Sequence, residues 1–170
     1  MSLPKLLREI AETLALALVI FLIVHIGVQN FRVQGTSMIP TLHTGNLVLV
    51  NKIDYDFENP QPGDVIVFKF PLDPSQDFIK RVIGVPGDVI RITPGHVYRD
   101  GRLVHEPYIK NETNYSFGPK KVPKNDYFVL GDNRPSSYDS HLWGMLPRKN
   151  IIGKALISYW PLNSITFFSF

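Results

Sequence analysis

The chain has 170 residues, 44% of them hydrophobic, with 12 glycines and 14 prolines, so it can form one core with a short appendage but not two, and it is not a disordered chain. Its net charge of +3 is scattered rather than gathered in a stripe, which sets nucleic acid aside. It has no cysteine, which rules out a disulfide framework and a thiolate zinc site.

Lys5 and Arg8 precede an apolar run, Leu14-Ala15-Leu16-Ala17-Leu18-Val19-Ile20-Phe21-Leu22-Ile23-Val24. Counted over residues 10–28, that run makes roughly 28 Å of helix at about 1.5 Å per residue, close to the ~30 Å of a bilayer core. Glu12 and His25 fall near its two ends, where their polar heads can reach water. The expected organisation is a cytoplasmic tail at 1–9, a transmembrane anchor at 10–29 and a β-rich domain at 30–170. Basic residues before the span put the N-terminus in the cytoplasm, and Arg32 beyond it dilutes that bias. A cleaved secretory signal has the same signature. No small-x-small cleavage site follows, however, and cleavage would leave the Ser37 region at a frayed terminus. A buried core helix is the third reading of the run.

Beyond residue 30 the pattern becomes short apolar or alternating runs broken by Pro and Gly, which predicts a mostly β domain, as an irregular barrel or packed sheets. Strands are expected at 47–53, 65–70, 78–85, 89–93, 97–99, 103–105, 127–130 and 151–160. Asp100-Gly101 predicts a type I′ hairpin turn, because both positions need positive φ. Residues 106–125 are polar and without period, which reads as a surface excursion or a loop at a substrate edge.

Three stretches carry chemistry. In Gly35-Thr36-Ser37-Met38-Ile39-Pro40-Thr41-Leu42, a serine among small residues follows directly on the apolar segment. Its hydroxyl becomes a nucleophile only if a neighbouring base takes the proton; otherwise it is a solvated turn residue. Lys80, in Phe78-Ile79-Lys80-Arg81-Val82-Ile83-Gly84, is the candidate base, with a snorkelling lysine as the ordinary alternative. Bringing its pKa from ~10.4 to about 8 costs about 3.3 kcal/mol, which desolvation by apolar walls can supply. Arg81 next door would help by like-charge repulsion only if it pointed the same way, and on a strand it points oppositely. The third stretch runs from Gly131 through Asp132, Asn133, Arg134, Ser137, Asp139 and His141 to Gly144, a loop dense in groups that could pair locally or hold the amine.

These stretches, with Pro62-Gly63-Asp64-Val65-Ile66-Val67-Phe68, resemble in order and spacing the boxes of the type I signal peptidases, and the resemblance spans essentially the whole chain. It implies a β-rich catalytic domain on an N-terminal anchor, Ser37 as nucleophile, Lys80 as general base, Ser137 as the serine that orients the lysine, and Asp132, Arg134, Asp139 and Arg81 as supporting groups. It also implies secretory preproteins as substrates, bound extended beside β-strands with shallow pockets for small side chains; Val33, Met38, Ile79 and Ile83 are the candidates for those walls, and core residues would look the same. The membrane would be a plasma membrane or a thylakoid. Two positions depart from the pattern. Gly35 stands where some members carry a serine of the oxyanion hole, and His141 stands where arginine is common, so an Asp139–His141 pair would replace an Asp–Arg pair. No cofactor is expected, and His25, His43, His96, His105 and His141 show no metal-ligand spacing. The rival readings are a Ser37–His141–Asp139 triad and a membrane-tethered β scaffold that binds peptides without cutting them.

Overall fold

The structure, a computed structural model, describes residues 3–168, leaving out the side chains of residues 3, 6, 20 and 22–26. The Leu- and Ala-rich start forms helix α1 (Leu3–Gly27), with Pro4 in its first turn, where a missing N–H costs nothing. Leu7, Ile10, Leu14, Leu16, Leu18, Val19 and Phe21 are all exposed along it. On the described residues alone, no helix is long and apolar enough to cross a membrane; the expected anchor's side chains at 20 and 22–26 lie outside them. At Gly27 the helix meets the domain: the Gly27 carbonyl accepts from the Lys52 N–H at 2.9 Å, and a Cβ there would come within 2.6 Å of Ile53. Strand β1 (Val28–Arg32) begins at once, so 28 and 29, expected in the anchor, belong to a strand.

The next elements are β2 (Leu47–Asn51), the one-turn helix α2 (Asp54–Phe57), β3 (Val65–Phe70) and β4 (Asp73–Gly84). They are followed by β5 (Val89–Thr93), β6 (His96–Arg99), β7 (Arg102–Leu103), β8 (Phe117–Lys121) and β9 (Asp126–Leu130). The one-turn helix α3 (Ser140–Trp143), β10 (Leu146–Pro147), β11 (Ile151–Trp160) and β12 (Thr166–Phe167) complete the chain. The main antiparallel sheet has the order β1-β2-β11-β3-β4-β9-β10, with β12 on β11, and the smaller one β7-β6-β5-β8. Neither closes on itself: the fold is packed sheets, and the barrel alternative falls away.

Strand β3 shows why. Val65 and Val67 enter one core cluster with Met38, Leu42, Val48, Val50 and Ala155, while Ile66 and Phe68 enter another with Val82, Tyr127 and Val129. A central strand buried on both faces reads as a continuous apolar run, with period-2 alternation dividing it between two layers. The third cluster, with Ile83, Ile90, Ile92, Val97, Phe128 and Leu130, joins the small sheet to the large one.

The Asp100-Gly101 turn has φ of 53° and 77°, as its sequence requires. The structure also differs from expectation elsewhere: β2 ends at Asn51 rather than 53, and β10 and β12 were not expected. Strand β4 starts five residues before 78, because its polar first half lies on the surface and carries Pro74. The strand expected at 103–105 shrinks to β7. Within the excursion at 106–125, β8 pairs with β5 across a register shift at Gly118-Pro119, which hides it from any alternation pattern.

Candidate active site

The turn after β1 puts Ser37 at the mouth of a cleft. Gly35 has φ of +91°, which a side chain rarely adopts, and Met38 and Leu42 root the turn in the first core cluster. From β4, Lys80 reaches Ser37: Nζ lies 2.7 Å from Ser37 Oγ and 3.0 Å from the Ile79 carbonyl. Lys80 is 4% exposed. Burial pulls its pKa down to about 8, against the Asp139 and Asp132 carboxylates, which favour the ammonium. An amine and a hydroxyl in contact, with the amine partly uncharged near neutral pH, can exchange a proton.

Arg81 points to the other face, as alternation requires. Its Nε and Nη2 bind the two oxygens of Asp132 at 2.9 and 2.7 Å, Nη1 binds the Gly63 carbonyl at 2.9 Å, and Tyr108 stacks 3.9 Å from the guanidinium. The Thr41 hydroxyl donates to the same Asp132, so one carboxylate ties β4 to the serine turn. Asn133 adds two bonds, from its N–H to the Ser37 carbonyl at 2.9 Å and from its side chain to the Thr36 carbonyl at 3.0 Å.

Gly131 is the tightest point. A Cβ there would lie 2.2 Å from Ser137 Oγ and 2.5 Å from the Ser37 carbonyl oxygen, so Ser137 and Ser37 crowd the same spot. The Gly131 N–H donates to Asp139 at 3.0 Å, and its carbonyl accepts from Arg134 at 3.0 Å. Arg134, 1% exposed, also holds both oxygens of Glu106, at 2.9 and 2.5 Å. Ser137 Oγ is buried and has no hydrogen-bond partner among the described residues, so its hydroxyl does not bind Lys80 in this conformation. His141 Nδ1 lies 2.6 Å from Asp139 Oδ1, and among the described residues no hydrogen bond joins His141 to Ser37.

The cleft, of about 680 Å³, is lined by Ser37 and Lys80 and, among others, by Arg32, Val33, Gln76, Phe78, Ile79 and Tyr138. Val33 and Ile79 therefore stand in its wall. Met38 and Ile83 do not: Met38 is 2% exposed in the first cluster, and Ile83, equally buried in the third, borders a separate cleft beside Pro62 and Gly63. Being apolar and near the motif does not decide whether a side chain faces the cleft or the core. Sequence reasoning missed Thr41, Asn133, Glu106 and Tyr108. The first two lie inside the stretches already singled out; the other two lie in the excursion and carried no signal.

Residues 7–160 match the sequence pattern of the family described as "Signal peptidase, peptidase S26". The chain is 43% identical over 168 residues to a signal peptidase I of Leptolyngbya laminosa, covering 94% of this chain and 82% of that one. It is 36% identical over 141 residues to a probable thylakoidal processing peptidase 2, chloroplastic, of Arabidopsis thaliana, covering 79% and 38%. A crystal structure of a signal peptidase I from Enterococcus faecalis superposes with a TM-score of 0.52 at 30% identity, over 57% of this chain and 97% of that one.

Proposed function

Because this chain belongs to the signal peptidase family, peptidase S26, we propose that it is a membrane-bound serine endopeptidase that removes N-terminal signal peptides from secretory preproteins with a Ser37–Lys80 dyad. The observation that carries the reading is the 2.7 Å approach of Lys80 Nζ to Ser37 Oγ in a cleft. With a pKa of about 8, roughly one lysine in ten is neutral at pH 7, against about one in 2,500 at an ordinary ~10.4, a gain of ~250-fold in competent base.

Neutral Lys80 takes the Ser37 proton as Oγ attacks the scissile carbonyl, then gives it to the leaving amine. An acyl-enzyme ester on Ser37 remains, and water deprotonated by the same lysine releases the signal peptide. The Ser37 N–H, which has no acceptor among the described residues, would face the oxyanion. Gly35 offers no side-chain donor beside it. The unpartnered Ser137 hydroxyl would take up the amine as it turns from Ile79 to the leaving group. Asp132, Arg134, Asp139 and Arg81 hold the frame.

The substrate binds as an added strand. Strand β4 pairs with β9 only from Arg81 onward, so among the described residues no strand lies on the cleft side of 76–80, which can accept an extended peptide opposite 32–36. Val33 and Ile79 make the pocket walls that favour small side chains. Helix α1, apolar and exposed, anchors the enzyme by a single pass in a plasma or thylakoid membrane, with the N-terminus cytoplasmic and the domain on the far side.

The test is a precursor-cleavage assay in detergent with wild type, Ser37→Ala and Lys80→Ala, each checked for folding. Wild-type cleavage abolished in both variants is expected. Cleavage that survives Lys80→Ala and collapses in His141→Ala would transfer the role to the triad, and a wild type that yields no shorter product would leave only a binding scaffold.

A further inference from the structure

We propose that His141 is a positioning residue for the dyad: backed by Tyr115, its ring fixes the Asp139 carboxylate beneath the serine turn and offsets that carboxylate's charge where Lys80 feels it. The inference rests on the dyad reading above. A carboxylate can only accept, so Nδ1 carries the proton at 2.6 Å from Asp139 Oδ1, and the His141 N–H reaches the same oxygen at 3.3 Å. The imidazole lies flat against Tyr115, with centroids 3.7 Å apart and planes 9° from parallel, so it cannot turn away without losing that stack. Asp139, fully buried, then has Oδ2 fixed on the Gly131 N–H at 3.0 Å. Gly131 has no slack, because the Ser37 carbonyl and Ser137 Oγ already fill the space where a Cβ would stand. A carboxylate that swung off His141 would therefore displace the floor under the nucleophile.

Charge gives the second argument. The carboxylates that favour the Lys80 ammonium are Asp139, the stronger, and Asp132. Asp132 is matched by the two-bond contact with Arg81, and the Arg134–Glu106 pair near Tyr115 is closed on itself. The groups around His141 are thus Asp139, the Tyr115 phenol and that closed pair. Besides the neutral Gly131 N–H on Oδ2, His141 is the group bound to the Asp139 carboxylate that can temper its pull on Lys80.

The experiment uses the full chain in detergent. It follows the Lys80 side chain by NMR of ¹³C-lysine-labelled protein across pH, assigned by loss of the signal in Lys80→Arg, together with kcat and KM for a precursor peptide. His141→Phe keeps a ring on Tyr115 but removes the donor, His141→Arg supplies a permanent cation, and His141→Asn keeps a donor near the Nδ1 position. The expected order of Lys80 midpoints is Phe above wild type above Arg, spread by about half a pH unit or more. In Phe, kcat should fall by about tenfold or more with KM within about twofold, and Asn should recover most of the loss. One midpoint shared by all variants, or a loss uniform in pH, overturns the proposal. If Phe does not fold, Arg and Asn decide in the same way. Ordered midpoints in a wild type that cleaves nothing would sink the peptidase reading alone, whereas normal cleavage with one shared midpoint would sink only the role of His141.

Discussion

Burying Lys80 imposes a cost on the fold, one that the proposed role as a base would require. Its pKa falls from ~10.4 unfolded to about 8 folded, so between those values the unfolded chain binds more protons and stability rises with pH. Below pH 8 the full penalty stands, about 3 kcal/mol at ~1.36 kcal/mol per unit. Lys80→Met removes the penalty but loses two hydrogen bonds worth about 1 kcal/mol each. The variant should therefore be inactive yet about 1 kcal/mol more stable than wild type at pH 7, with the gain vanishing near pH ~9 and turning into a loss of roughly 1 kcal/mol by pH ~10. Urea denaturation at pH 7 and 9.5 reads this directly, and a variant destabilised at both would show that the lysine is not held against its solvation. For the same reason kcat/KM should climb about tenfold per pH unit below ~8 and level off above it. A profile flat from pH 6 to 9 would exclude a base that titrates there.

At the scale of the element, β4 does its work by alternation. Lys80 faces the serine and Arg81 faces away, into Asp132, which also takes the Thr41 hydroxyl. Arg81→Ala would strand a carboxylate with no exposed surface, and breaking such a buried pair from one side costs about 3–5 kcal/mol. The double variant Arg81→Leu with Asp132→Leu should recover much of that stability, though not activity, because the serine turn loses its tie. Chemical denaturation of the three proteins separates these cases; a single variant as stable as wild type would mean the pair only decorates the site. This division of labour was legible in the sequence, where period 2 alone sends neighbours to opposite faces. The partner of Arg134 was not, because Glu106 lies in a polar stretch and is separated from it by all of β8 and β9. Local pattern carries no information about so distant a contact.

For the molecule as a whole, legibility follows the same rule. Strands that alternate or run apolar over four or more residues, β2, β3, β5 and β9, were readable, whereas β8, broken by Gly118-Pro119, and the two-residue β10 and β12 were not. The pairing of β1 with β2, and of β2 with β11, is set by contacts far apart in sequence. Helix α1 joins this body through the Gly27 carbonyl and the close packing of Gly27 on Ile53, while its side chains along the described length stand exposed. The described side chains of the helix bury little against the domain and so contribute little to its stability, and under the proposed reading the value of the helix lies in confinement. Deleting residues 1–26 should leave the denaturation midpoint of the domain nearly unchanged and kcat/KM for a short soluble peptide within about threefold. Cleavage of a precursor embedded in vesicles should fall by about 10²-fold or more, as tethering to the same surface is lost. Parallel assays on peptide and vesicle-bound precursor separate the two effects: equal losses on both substrates would make α1 a structural part of the catalytic domain rather than its anchor.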